Sequence, residues 1–416
     1  TQGVSSAASD VYKRQTSGGT ISIYGSTLNA VSPTTVDTGT GVTILDGGNF
    51  YSWGSIGITG YGIGGRTVAD GVNAGTGANH GLNIWSTSTT IRSYNSSVSL
   101  AGYAYGFKTS SNYTANLESA GVYLHSDANT IRGKTGVTIT GIDLPGIGVY
   151  LNSGSSGANG ITADTGSVTI NSTNNNSTWY STYIRQSITA TSGAININSA
   201  GQYGLSIDDI QGVLSASGDI NINTYATLYH AFNLNNGVTN AIRSTGGDIV
   251  ISTTAAGANT SYYALYEAST TSITAYRNII FQGASLAAAT PGNIVSAATA
   301  ATPVYASANS GSVTTGPDAT HTLNWAGAMT ASNGYISLSG NSVVSGLMTA
   351  SGASGGLVLN GAGTYNLSNT SNNISTVAAS IGTSSLTLVN GSSLSVGTAN
   401  SITGITAGAV TLTAAG

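Results

Sequence analysis

Along most of the chain, apolar and polar residues alternate for a few positions, break at Gly, Ser, Asn or Thr, and then alternate again. The clearest cycle lies at 191–224. There Ile195/Ile197, Leu205/Ile207 and Val213/Leu214 follow one another before Gly218-Asp219 and Ile220/Ile222 begin the next cycle. The first landmark recurs at Val137/Ile139, Val168/Ile170, Ile195/Ile197, Ile220/Ile222, Ile249/Ile251 and Ile279/Phe281, in steps of 31, 27, 25, 29 and 30 residues. A third-strand landmark recurs at Ile131, Ile161, Ile188, Leu214, Ile242 and Ile273, in steps of 30, 27, 26, 28 and 31. Between the two lies a Tyr-rich segment, as in Gly148-Val149-Tyr150-Leu151 and Tyr203-Gly204-Leu205. Two landmarks that drift together describe one structural unit with corners of variable length.

A period of two is the signature of a strand, and the bounding residues are turn formers. Three short strands per cycle predict an all-β fold, a right-handed parallel β-helix with three-strand coils of about 25–31 residues, in which each coil lies on the one before. About 14 such coils would make a rod about 65–70 Å long at ~4.8 Å per coil. The residue after the first strand is polar in every coil (Thr140, Asn171, Asn198, Asn223, Ser252, Gln282). It is expected at a corner, where Asn tolerates left-handed backbone and stacked amides bond along the axis.

The pattern divides the chain. Residues 1–15 lack alternation, carry the adjacent pair Lys13-Arg14 and read as a non-native or disordered segment. Residues 16–283 read as β-helix, with an excursion expected at Gly60–His80 and a loop near 110–116. Residues 284–310 are Ala-rich, contain Pro291 and Pro303, and read as an irregular coil or joint. Residues 311–416 form a second series with landmarks Ile336/Leu338, Leu357/Leu359, Leu386/Leu388 and Val410/Leu412, and no charged residue follows Asp318.

Composition sharpens this picture. Charged residues make up 6% of the chain, against roughly 25% in ordinary domains. A disordered Gly/Ser polymer is excluded because 40% of the residues are apolar and placed periodically. Net charge is −4, without a basic block to recruit nucleic acid. There is no cysteine, hence no disulfide framework or thiolate metal site, and no apolar run long enough to span a membrane. The chain starts at Thr1 without Met and stops inside a repeat, so it reads as a piece of a longer protein.

The stretch 363–416, with SLSVGT (393–398) and GITAGAVTLTAAG (404–416), together with GDIVIST (247–253), resembles the β-strand repeats of filamentous-haemagglutinin-like exoproteins and autotransporter passengers. The resemblance extends in style over most of residues 17–416. It implies an adhesin, secreted or on the outer-membrane surface of a Gram-negative bacterium, exported by an autotransporter or two-partner route. The motifs that would decide the route, an N-terminal secretion domain or a C-terminal barrel, are not in this sequence.

Parallel β-helices also host polysaccharide-active enzymes, and these need paired carboxylates. Asp219 and Asp248 precede the first strand of successive coils, and Asp208-Asp209 occupy a corner with Glu267 two coils on. The competing reading, favoured here, is corner chemistry, Asp accepting backbone hydrogen bonds; no catalytic residue, metal site or cofactor is assigned. Arg92, Arg132, Arg185, Arg243 and Arg277 recur near the third strand, either as a track for anionic glycans or as counter-charges for nearby acids. Eight tyrosines, 103, 105, 123, 150, 183, 203, 229 and 263, fall near the second strand. Tyr123 and Tyr150 alternate with inward apolar residues and so are expected to face out, where rings can stack on sugars. The candidate ligand surface is therefore Tyr123, Tyr150, Tyr203 and Tyr263 with Arg132 and Arg243. The expected partner is a host cell or glycan, with end-to-end self-association at the exposed ends of the rod. A β-helical polysaccharide enzyme and a self-assembling matrix protein are the alternatives.

Overall fold

The computed structural model describes residues 14–16, 19–28, 40–45, 48–64, 80–85, 89–106, 119–125, 130–144, 146–152, 160–175, 179–207, 212–234, 241–255, 265–267, 272–284, 294–296, 305–308, 313–317, 322–325, 327–331, 334–352 and 355–415. Among these the regular elements are all strands, and they form three long sheets of 15, 14 and 13 strands. Up to Asn390 each sheet takes every third strand in turn with parallel pairings; beyond it the order becomes irregular, and Thr398–Ala399 and Ile402–Thr403 form a separate two-stranded antiparallel sheet. This is a parallel β-helix, with the number of coils the alternation predicts.

The register also follows the predicted landmarks. In the first sheet, of 15 strands, Val137, Val168, Ile195, Ile220, Ile249 and Ile279 pair in succession. In the third sheet, of 13 strands, Ile131, Ile161, Ile188, Leu214, Ile242 and Ile273 do the same. In first-sheet strands such as Gly136–Asp143 and Ser167–Asn174 every second residue is buried. The buried residues of all three sheets merge into one apolar core running from Ile21 to Leu388. Each coil alone would expose its apolar face; stacking on two neighbours buries it.

Several expectations change. Asn171, Asn198 and Asn223 lie inside the strands Ser167–Asn174, Ile195–Gly201 and Ile220–Ala226, not at corners. Among the described residues, left-handed backbone at a non-glycine occurs only at Asn400 and Ser401. Arg14–Thr16 pair with Phe50–Ser52, so the ladder begins inside the segment set aside at 1–15. All three sheets pass through 284–310: Ile294–Ser296 and Tyr305–Ala308 supply the second and third, and Ile279–Ala284 pairs directly with Val313–Pro317 in the first. Beyond it the coils shorten: Val313, Ile336, Leu357 and Val377 pair in steps of 23, 21 and 20 residues. Leu386/Leu388 and Val410/Leu412 belong to the second sheet, of 14 strands, not to the series of Ile336 and Leu357. Equal spacing had merged two sheets into one series. The expected loop at 110–116 and most of the excursion at Gly60–His80 lie outside the described residues.

The corner between the first and second sheets brings two backbones close together in the early coils. Gly25, Gly60, Gly102 and Gly141 stack there in one register column. A Cβ on Gly60, Gly102 or Gly141 would overlap the carbonyl oxygen of Gly81, Gly121 or Gly148 on the facing strand. In later coils the same column continues as Ser172, Ser199, Thr224 and Thr253. Hydroxyls now bridge the corner: Ser172 Oγ donates to the Ser181 carbonyl at 2.5 Å and Ser199 Oγ to that of Gly204 at 3.1 Å. Backbone contact gives way to hydrogen bonding as the corner widens by a side chain. Gly102→Ala should therefore destabilise the rod by about 1–3 kcal/mol through overpacking. Gly57→Ala, whose Cβ meets nothing within 4 Å, should be neutral or stabilising by about 0.4–1 kcal/mol. Urea midpoints of the two variants check the pair, and equal midpoints would contradict the tight corner.

Candidate ligand-binding faces

The second sheet carries an outward column Asn83, Tyr123, Tyr150, Tyr183, Ser206 and Asn233. Tyr123 and Tyr150 point outward, as alternation requires, but they are 2% and 6% exposed. Their rings stack at 5.0 Å and pack with Ala120, Ile147 and Tyr183 into a satellite cluster outside the main core. His80 stacks on Tyr123 from the other side, also at 5.0 Å. The expectation that these two tyrosines offer rings to a ligand is corrected: alternation fixes the side of a sheet, not whether that side is open. Tyr203 belongs to a different column, paired with Tyr180 and stacked on Tyr229 at 4.4 Å. Tyr263 lies outside the described residues. Tyr103 and Tyr105 sit on the first sheet, not the second.

The arginines divide. Arg92, Arg132 and Arg243 share an outward column on the third sheet, with Thr162, Thr189 and Ser215 between the last two. Arg185 instead follows the second-sheet strand Tyr180–Ile184, over the Tyr183 ring at 4.9 Å. Arg277 occupies the bend between the third and first sheets. Arg132 is ion-paired with Asp164 at 2.8 Å.

Asp219 and Asp248 are one coil apart, as the sequence suggests, but their oxygens are engaged. Asp219 Oδ1 accepts the Asp248 backbone N–H at 2.9 Å, and Asp248 Oδ1 accepts that of Asn278 at 2.8 Å. Arg277 binds both, at 2.8 and 3.2 Å. Corner hydrogen bonding and charge neutralisation account for this pair. Asp208 and Asp209 lie outside the described residues.

Sequence reasoning missed a second aromatic group. On the third sheet Tyr51 and Trp53 face Tyr94, with ring centroids 6.3 and 5.2 Å apart, and the Arg92 guanidinium lies 4.5 Å over the Tyr94 ring. Trp53 is 46% exposed. These rings precede the landmark series that starts at Ile131 and Val137, so spacing alone gave no reason to join them.

Buried ionisable groups lie beside these faces. Burial lowers His80 and His230 from 6.5 to about 4. Burial raises Asp143 from 3.8 to about 7, against the opposing hydrogen bond from Ser119 Oγ at 2.6 Å. Among the described residues, no group of three His, Cys, Asp or Glu side chains could hold a metal. No known protein family, curated protein or solved structure matches this chain.

The shifts predict a pH response. Each neutral histidine stabilises the fold above about pH 6.5, and that contribution is lost as pH falls toward 4. Asp143 acts oppositely: its contribution is complete below about 3.8 and is lost as pH rises through about 7. Two histidines outweigh one aspartate, so the urea midpoint should fall between pH 6.5 and 4.5. His80→Phe should flatten the fall and Asp143→Asn steepen it; identical profiles for all three proteins would contradict these assignments.

Proposed function

We propose that the chain is a non-catalytic, surface-displayed stalk that carries attachment faces for cells or glycans, secreted or held at the outer surface of a Gram-negative bacterium. One observation carries the reading. The interior repeats the same apolar positions from coil to coil, whereas rings and cations are set on outward positions of an unbroken ladder. The acid pair best spaced for catalysis serves instead as a corner ladder with Arg277. The scarcity of charge and the lack of cysteine suit a chain that crosses a membrane before folding. The likeness of its repeats to exported adhesins points the same way.

Incubation with a panel of polysaccharides should retain at least one of them without generating new reducing ends or unsaturated uronate. Product formation would overturn the reading in favour of a polysaccharide-active enzyme.

A further inference from the structure

We propose that the third sheet carries a subsite for an acidic glycan, formed by Tyr51, Trp53, Arg92, Tyr94, Arg132 and Lys134. The inference rests on the attachment reading above and gives it a place and a ligand class.

Register builds the site. Tyr51, Arg92 and Arg132 are paired in succession on three neighbouring strands. Two residues further along each strand come Trp53, Tyr94 and Lys134, at the bends that follow. Three rungs ~4.8 Å apart thus present two parallel columns, one of Tyr-Arg-Arg and one of Trp-Tyr-Lys. That rung spacing is comparable with the advance per sugar of an extended polysaccharide. The aromatic rings offer faces on which the C–H side of a pyranose can stack.

Charge selects an acidic sugar. The chain has only ten basic residues, and three of them meet here. Arg132 is neutralised by Asp164, but among the described residues Arg92 and Lys134 have no carboxylate partner. The patch therefore carries +3 − 1 = +2 within a chain of net charge −4. Arg92 lies directly opposite Arg132 on adjacent strands, an arrangement that costs stability unless an anion lies across it. A guanidinium fork matches a carboxylate or a sulfate ester in two-point contact, and the Arg92 plane is already held over the Tyr94 ring. The cluster Tyr24, Tyr61 and Tyr103 on the first sheet has stacked rings but no Lys or Arg on its strands, so it lacks this selectivity. Single-stranded nucleic acid, which also uses stacking, calls for a continuous basic groove; three cations on an acidic chain do not provide one.

The test is binding by the full chain to heparin (sulfate), polygalacturonate (carboxylate), neutral dextran and a single-stranded oligonucleotide, at low and high salt. One or both acidic glycans should bind, more weakly at high salt, and dextran should not; which acid binds identifies the anion. Arg92→Ala and Trp53→Ala should each weaken binding about ten-fold or more. Arg92→Lys should recover part of the loss, and Tyr24→Ser on the first sheet should change nothing. Unchanged circular dichroism, or the same loss in the milder Trp53→Leu, separates lost contacts from misfolding. Acidic-glycan binding insensitive to both alanine variants, binding of dextran alone or binding of the oligonucleotide alone would overturn the subsite and leave the attachment reading standing in the first two cases. Failure of every polysaccharide to bind would overturn both.

Discussion

Everything in this molecule depends on strands pairing in register with their equivalents in the next coil. The backbone hydrogen bonds run along the rod, so each position in a coil is repeated at ~4.8 Å and must tolerate its own copy. Isoleucine does so by packing, and the column Ile139, Ile170, Ile197, Ile222, Ile251 and Phe281 fills one side of the interior. Asparagine does so by hydrogen bonding: Asn198 donates to Asn171 at 2.9 Å and Asn223 to Asn198 at 3.1 Å. Carboxylates cannot stack alone, and Asp219 and Asp248 stand one coil apart only with Arg277 and backbone N–H groups between their charges. Arg92 against Arg132 is the pair left least compensated, which makes the third sheet the natural place for an external anion.

Corners obey a different constraint, the distance between two turning backbones. Where the first and second sheets meet closely, only hydrogen fits as a side chain, and glycines face one another from Gly25 to Gly148. Where the corner opens, serine and threonine hydroxyls take up the backbone carbonyls. Asp143 sits at the change between these regimes, fully buried, with Oδ2 bound by Ser119 and Oδ1 without a hydrogen-bond partner among the described residues. Burial raises its proton affinity, and the hydrogen bonds from Ser119 and the Gly146 backbone only partly offset that.

The fold was largely legible because its signal is local and repeated. The column of Val137 and the column of Ile131 emerge from alternation alone, and the structure pairs them residue for residue. The outward amide ladder was legible too, though not its position within the strands. The site was less so. Alternation put Tyr123 outside the sheet, yet the packing of Ala120, Ile147 and neighbouring rings that buries it involves residues of different coils. Tyr51, Trp53 and Tyr94 meet because Tyr51 pairs with Arg92 across 41 positions of chain, in coils too irregular for spacing to reveal it. Equivalent spacing also misled, merging Leu357 and Leu386 into one series although they belong to different sheets.

The functional account needs the ladder to be continuous, since a face that projects binding groups is only as long as its register holds. The chain has no cysteine, so spin labels can be placed cleanly on a Thr162→Cys/Thr330→Cys variant and their separation measured by pulsed dipolar spectroscopy. These positions share one column of the third sheet and are six rungs apart, through Thr189, Ser215, Arg243, Thr274 and Ser307. At ~4.8 Å per rung the account predicts one narrow distance near ~29 Å between the backbones. A broad distribution, or a separation displaced by more than a rung, would show that the ladder breaks between them and contradict a continuous rod.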